Sequence, residues 1–137
     1  MTLVIDTNIV LDLLVFDDPS QAPLRAALAA GELRWIATGA MRDELMRVLD
    51  YPLIARRLAA GLRRPPEVLA AFDAAVQRIE ALPVRAPFVC SDPDDQIFVD
   101  LAVAHRARLL SKDRAVLAMR KRLAGLGVQV SSGWSAA

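Results

Sequence analysis

Thr2-Leu3-Val4-Ile5-Asp6-Thr7-Asn8-Ile9-Val10-Leu11 changes character at Asp6. The four residues before it form a short continuous apolar run, the pattern of a buried strand. The polar Thr7-Asn8 pair then opens a segment that reads as a helix through Leu14, with Thr7 as its expected N-cap. A strand that ends on a carboxylate and turns directly into a helix is the first unit of a parallel α/β fold. Open sheets of that kind bind ligands at the carboxyl ends of their strands.

The rest of the chain repeats the alternation. Helices are expected at residues 21–30, 38–49, 53–60, 65–81, 95–105 and 113–123. Strands are expected at 34–37, 83–85, 108–110 and 127–130. Gly31 ends the second helix, Thr38 caps the third, and Asp50-Tyr51-Pro52 breaks it. Pro65-Pro66 opens the longest helix, in which Val68, Phe72, Val76 and Ile79 fall at helical spacing. Strands separated by helices imply a parallel sheet with right-handed crossovers. The tail from Ser131 reads as loose, with Trp134 as an anchor. No repeat or linker divides the 137 residues, so a single domain is expected.

Composition narrows the function classes. A hydrophobic fraction of 55% with 24% charged residues describes a folded chain rather than a disordered one. No apolar run approaches the ~18 residues of a membrane span. The opening residues lack a basic flank and are interrupted by Asp6, so no signal peptide is expected. The single cysteine, Cys90, excludes an internal disulfide framework and fits a reducing cytoplasm; burial is its expected role. The net charge of +1 gives no global pull toward nucleic acid. The basic side is nearly all Arg, however, since only Lys112 and Lys121 are lysines. Arg56, Arg57, Arg63 and Arg64 crowd one stretch, and the planar guanidinium suits phosphate.

The acids carry the chemistry. Asp6 closes the first strand, Glu44 lies in the third helix, Asp92, Asp94 and Asp95 precede another helix, and Asp113 follows the strand Arg108-Leu109-Leu110. Each has an ordinary reading, as a helix N-cap or a solvated side chain. Together they lie where a parallel sheet would gather them, provided the first and fourth strands are neighbours. Crowded carboxylates raise one another's pKa unless a cation neutralises them. An acid set with no His or Cys ligands points to a hard divalent metal, Mg²⁺ or Mn²⁺. Asp92 reads as a turn residue, Asp100 as solvated, and His105 as a surface or packing residue.

Val4-Ile5-Asp6-Thr7-Asn8, a mid-chain Glu44, Asp92-Pro93-Asp94-Asp95 before a helix and Ser111-Lys112-Asp113 after a strand resemble, in this order, the PIN domain. Within it they resemble the bacterial branch of VapC-like toxins from toxin–antitoxin systems, from residue 2 to about 130. The resemblance implies a three-layer α/β/α sandwich with a five-stranded parallel sheet in the order 3-2-1-4-5. It also implies a Mg²⁺- or Mn²⁺-dependent ribonuclease, often a homodimer, held inactive by a small antitoxin protein. Carried over by position, Asp6, Glu44, Asp95 and Asp113 match the catalytic acids, with Asp6, Asp95 and Asp113 on the metal. The choice between Asp94 and Asp95 stays open, with Asp95 favoured by its interval to Asp113. Asn8 and Ser111 match supporting positions, Ser111 where the family often has Thr. Arg42, Arg47, Arg56 and Arg57 are candidate RNA contacts, and Tyr51 reads equally as a base-stacking residue or as helix-end packing. Two rivals stand beside this reading. One is a catalytically inactive PIN fold that only binds proteins. The other is a receiver-like phosphate-sensing domain, with Lys112 near its pocket. Against the latter, Val84-Arg85-Ala86 stands where a phosphoacceptor Asp would close the third strand.

Overall fold

The computed structural model describes residues 1–135. Five strands form one parallel sheet in the order β3-β2-β1-β4-β5, the order the resemblance implies. They are β1 (Thr2–Ile5), β2 (Arg34–Ala37), β3 (Gln77–Arg78), β4 (Arg108–Leu110) and β5 (Val130–Ser131). The central strands are buried on both faces: Leu3, Val4, Ile5, Ile36, Leu109 and Leu110 are all within 2% of complete burial. That is why they read as continuous apolar runs rather than alternating ones.

Helices α1 (Thr7–Leu14), α2 (Ala22–Ala29), α3 (Gly39–Leu49), α4 (Pro52–Ala60) and α5 (Pro65–Ala75) connect the strands on the β3 side of β1. Helices α6 (Gln96–His105), α7 (Arg114–Leu117) and α8 (Arg120–Ala124) make the connections into β4 and β5. Because parallel crossovers are right-handed, the reversal of direction after β3 puts these two groups on opposite faces of the sheet. The order of the sheet therefore reverses beside β1, and the crevice at its carboxyl end opens there.

Several boundaries differ from the sequence reading. The fifth strand, expected at 127–130, is Val130–Ser131, because Val130 and Ser131 are the residues that pair with Leu109 and Leu110. Helix α5 stops at Ala75, not at residue 81, because Val76 is extended (φ −94°, ψ 150°). The third strand is accordingly Gln77–Arg78, not residues 83–85; it pairs with Ile36 and Ala37, and the Ile79 N–H continues the ladder to the Ala37 carbonyl at 2.9 Å. Val84 is 85% exposed and belongs to a surface loop. Val76 and Ile79 are half-buried edge residues whose spacing imitates a helical stripe. The helix expected over 113–123 is two pieces. Met119 (φ −88°, ψ 0°) breaks it with a tightened bond from its N–H to the Val116 carbonyl, while Val116, Met119 and Leu123 stay buried. Thr7 is the first helical residue of α1 rather than its cap; Asp6 takes the cap position.

Other expectations agree with the structure. Gly31 leaves α2 at φ +73°, the left-handed region that favours glycine. Trp35 of β2 meets Phe72 of α5 edge-to-face, with centroids 5.3 Å apart, tying that helix to the sheet. Trp134 is half-buried under the Arg108 guanidinium, 4.5 Å from its ring centre, so it does anchor the tail. The last two residues of that tail, Ala136 and Ala137, lie outside the described residues. Cys90 is a buried free thiol. His105 is exposed at the end of α6.

Candidate metal centre

Parallel register builds the site. β1 and β4 pair as Leu3↔Arg108, Val4↔Leu109 and Ile5↔Leu110. One step further along, the Asp6 N–H donates to the Leu110 carbonyl at 2.9 Å. Asp6 and Ser111 are thus neighbours on adjacent chains, and the buried Ser111 hydroxyl donates to Asp6 Oδ2. The same Ser111 oxygen accepts the Asp113 N–H at 3.0 Å. Asp113 caps α7 through one oxygen, which accepts the Ala115 N–H at 2.8 Å. Ser111 therefore fixes both the first acid and the turn that carries the last.

Asp95 sits at the start of α6 and is only 6% exposed. It does not act as a cap, and its Oδ2 is buried without a hydrogen-bond partner. Asp92, Asp95 and Asp113 each present a carboxylate oxygen within 4.8 Å of the other two. Asp94 is exposed and lies outside this group, lining a cleft of about 260 Å³ with Glu44, Arg47 and Ile97. Geometry thus brings Asp95, and not Asp94, to Asp113.

Glu44 is half-buried on α3, and the Thr7 hydroxyl donates to its Oε2 at 2.5 Å. Thr7 is the residue the sequence reading did not single out for the site. Its place between Asp6 and Asn8 was the available signal. The Asn8 side chain is exposed; after the Ser111 hydroxyl, the backbone N–H groups of Thr7 and Asn8 also favour the charged form of Asp6.

The electrostatics are those of an uncompensated anionic cluster. Burial pushes Asp6 above the usual carboxylate range, the Ser111 hydroxyl opposes the rise, and the charge of Asp113 adds to it. Burial also raises Glu44; its bond from Thr7 opposes this, and the charge of Asp6 adds to it. Asp95 is affected most. Burial, the Asp6 charge and contact with Asp113 push it up to about 8. A divalent cation would neutralise such a cluster. The residues present, carboxylates with a buried oxygen left unpartnered, fit Mg²⁺ or Mn²⁺.

The nearby cations point elsewhere. Lys112, between Ser111 and Asp113, reaches Asp12 Oδ2 of α1 at 2.6 Å, and Asp12 is buried. That ion pair, unforeseen in the sequence, holds the site turn against α1 and takes Lys112 away from the role a receiver-like pocket would need. Arg42 is held by both oxygens of Asp73, at 2.8 and 2.9 Å. Arg56 donates to the Pro52 carbonyl, Arg57 covers the Phe16 ring, and Arg63 donates to the Leu14 carbonyl. Of the candidate phosphate contacts, Arg47 is the one that lines the cleft beside Glu44. Asp100 is not a solvated residue. It is half-buried and accepts from the Ala86 N–H and from Gln96 Nε2, at 2.8 and 2.9 Å. Gln96 Oε1 in turn accepts the Cys90 N–H at 2.6 Å, so this pair fastens the loop that leads into Asp92.

A parallel sheet in this order, with acids gathered where its direction reverses, defines an α/β protein with an acidic crevice at the strand ends. The PIN domain family model matches residues 2–115, and the chain belongs to that family. PIN domains are generally nucleases and typically use divalent metals. Among solved structures, a chain from the crystal structure of VapBC2 from Rickettsia felis bound to a DNA fragment from their promoter shares the fold. Its TM-score is 0.65 at 14% sequence identity, and the match covers 98% of this chain and 100% of that one. No curated protein matches the chain.

Proposed function

We propose that this protein is a Mg²⁺- or Mn²⁺-dependent endoribonuclease, a single-domain toxin of a toxin–antitoxin pair working in the cytoplasm. The observation that carries the reading is Asp95: a buried carboxylate with an unpartnered oxygen, next to Asp113 and under the field of Asp6. Such a group is costly to the fold and useful to a cation. Asp6, Asp95 and Asp113 would hold the metal. A bound divalent cation supplies charge neutralisation of the phosphodiester and activation of the attacking water.

The chain's own residues do the rest. Ser111 favours the ionised form of Asp6 against its burial and orients it. Thr7 fixes Glu44 at the edge of the crevice, where its carboxylate would hold or orient the attacking water. Arg47 meets the RNA backbone at the cleft, and Arg56 and Arg57 extend that track along α4. Arg42 meets phosphate only by leaving Asp73.

The fold shared with a chain of a VapBC2 assembly supports a small antitoxin as partner. The exposed apolar side chains Met46, Tyr51 and Leu53, 46–74% accessible on and between α3 and α4, support a protein contact there and a homodimer. No helix among the described residues is long and apolar enough to cross a membrane.

The test is cleavage of end-labelled single-stranded RNA. The expected result is cleavage abolished by EDTA, restored by Mn²⁺ and absent in Asp113→Asn. Equal cleavage by wild type and variant would assign the activity to a contaminant and remove the proposal. Light scattering and co-purification with the neighbouring gene's product test the partners. A strict monomer that captures no small protein would count against both.

A further inference from the structure

Asp92 opens the 3₁₀ turn Pro93–Asp95, and its Oδ1 accepts the Asp94 N–H at 3.0 Å. That role needs one oxygen. Asp113 does the same at α7, where Oδ1 accepts the Ala115 N–H. Each acid is thus held still by its turn and keeps a second oxygen free of it. Between them lies Asp95, nine-tenths buried, with Oδ2 unpartnered. Among the described residues, Asp92, Asp95 and Asp113 are the set whose carboxylates close to within 4.8 Å. Asp6 stands outside that spacing, held by Ser111.

Among the described residues, no ion pair reaches the trio. The ion pairs among the described residues are Arg25–Asp17, Arg42–Asp73, Arg78–Glu80 and Lys112–Asp12. Lys112, adjacent to Asp113 in sequence, is committed to Asp12. A turn that needed only a cap could use Asn or Ser in place of Asp92 without placing a third negative charge beside a buried acid.

We infer that Asp92 is a direct ligand of a divalent cation, which it shares with Asp95 and Asp113, and that the metal centre is therefore built on Asp92 as well as Asp6. The inference rests on reading the site as a metal centre, and it adds to that reading a ligand from the turn before α6. The carboxylate oxygens and their spacing select a hard, oxygen-seeking ion.

The experiment is a calorimetric Mn²⁺ titration of wild type, Asp92→Asn, Asp94→Asn and Asp113→Asn, with melting temperatures measured in EDTA. Asn keeps the oxygen that caps the turn and loses the negative charge. Asp92→Asn is expected to lower Mn²⁺ affinity at least about tenfold, or to remove one equivalent of bound ion, without a lower apo melting temperature. Asp94→Asn, which removes the exposed neighbour, is expected to change affinity less than threefold. Should Asp92→Asn fail to fold, Asp92→Ser keeps a capping oxygen and replaces it in the series. Wild-type affinity and stoichiometry in Asp92→Asn, beside a loss in Asp113→Asn, would overturn this inference and leave the metal centre standing. Equal losses in Asp92→Asn and Asp94→Asn would also overturn it, by showing a general field rather than a ligand. Failure of the wild-type protein to bind Mn²⁺ would overturn both readings.

Discussion

Ser111 and Asp6, 105 residues apart in sequence, are joined by one hydrogen bond across adjacent parallel strands, the serine hydroxyl donating to the aspartate. The bond exists because β1 and β4 pair in register and both chains continue one step past their last ladder residue. It is the side-chain bond that lowers the Asp6 pKa against its burial.

Ser111→Ala should therefore let Asp6 rise further and make protons stronger competitors of the metal. We expect Mn²⁺ affinity to fall about tenfold, as for loss of other groups that orient metal ligands. The fall should be larger at pH 6 than at pH 8.5, because Asp6 is more fully ionised at the higher value. Titration of both proteins at both pH values checks this. A pH-independent loss would point to altered packing instead.

Metal-free stability should decline with rising pH. Asp95 ionises near the ordinary carboxylate value of 3.8 when unfolded but only at about 8 in the fold. Between those values the folded state holds the extra proton, so unfolding free energy decreases as pH rises, and the decrease is complete above about 8. Asp6 and Glu44, also raised, act in the same direction. Denaturant unfolding in EDTA at pH 5 and pH 8.5 is expected to give a lower midpoint at pH 8.5. Asp95→Asn should flatten the difference and raise the pH 8.5 midpoint, while abolishing RNA cleavage.

Metal binding should release protons. At pH 7 much of Asp95 is protonated in the metal-free fold, and ligation requires the carboxylate. Calorimetric enthalpies of Mn²⁺ binding should then vary with buffer ionisation enthalpy, the slope giving a positive proton release that shrinks by pH 9. A zero slope at pH 7 would contradict the raised Asp95.

Thr7→Val removes the hydroxyl that holds Glu44 and lowers its pKa. We expect Glu44 to rise, the acidic limb of the RNA-cleavage profile to move to higher pH, and kcat to fall more than KM rises. Thr7→Ser should restore the wild-type profile. An unchanged limb in Thr7→Val would remove Thr7 from the site.

Lys112→Met leaves the buried Asp12 carboxylate without its cation. A loss of about 2–4 kcal/mol is expected, the cost of an uncompensated buried charge. The double variant Asp12→Asn, Lys112→Met should lose less than the sum of the single variants. Strict additivity in denaturant melts would mean that the two residues do not interact.

The sequence by itself determined the sheet class and the three central strands β1, β2 and β4, and it marked the acids. Central strands of a parallel sheet are buried on both faces, so Val4-Ile5 and Leu109-Leu110 announce themselves as local apolar runs. Acids placed at strand and helix ends are equally local signals. Tertiary structure alone decided the rest, because it depends on partners far away in the chain. The third strand is two polar residues, Gln77 and Arg78, and is a strand only because the edge of β2 pairs with it. An interval to Asp113 is what the sequence offers for Asp95 over Asp94, and it is the fold that buries Asp95 at the start of α6 and leaves Asp94 exposed. The Thr7–Glu44, Lys112–Asp12 and Asp100–Ala86 contacts span turns and layers that no short window of sequence contains. Desolvation is likewise a property of the assembled core. Four acids in a list are ordinary, and only burial beside one another makes Asp95 hold its proton to about 8.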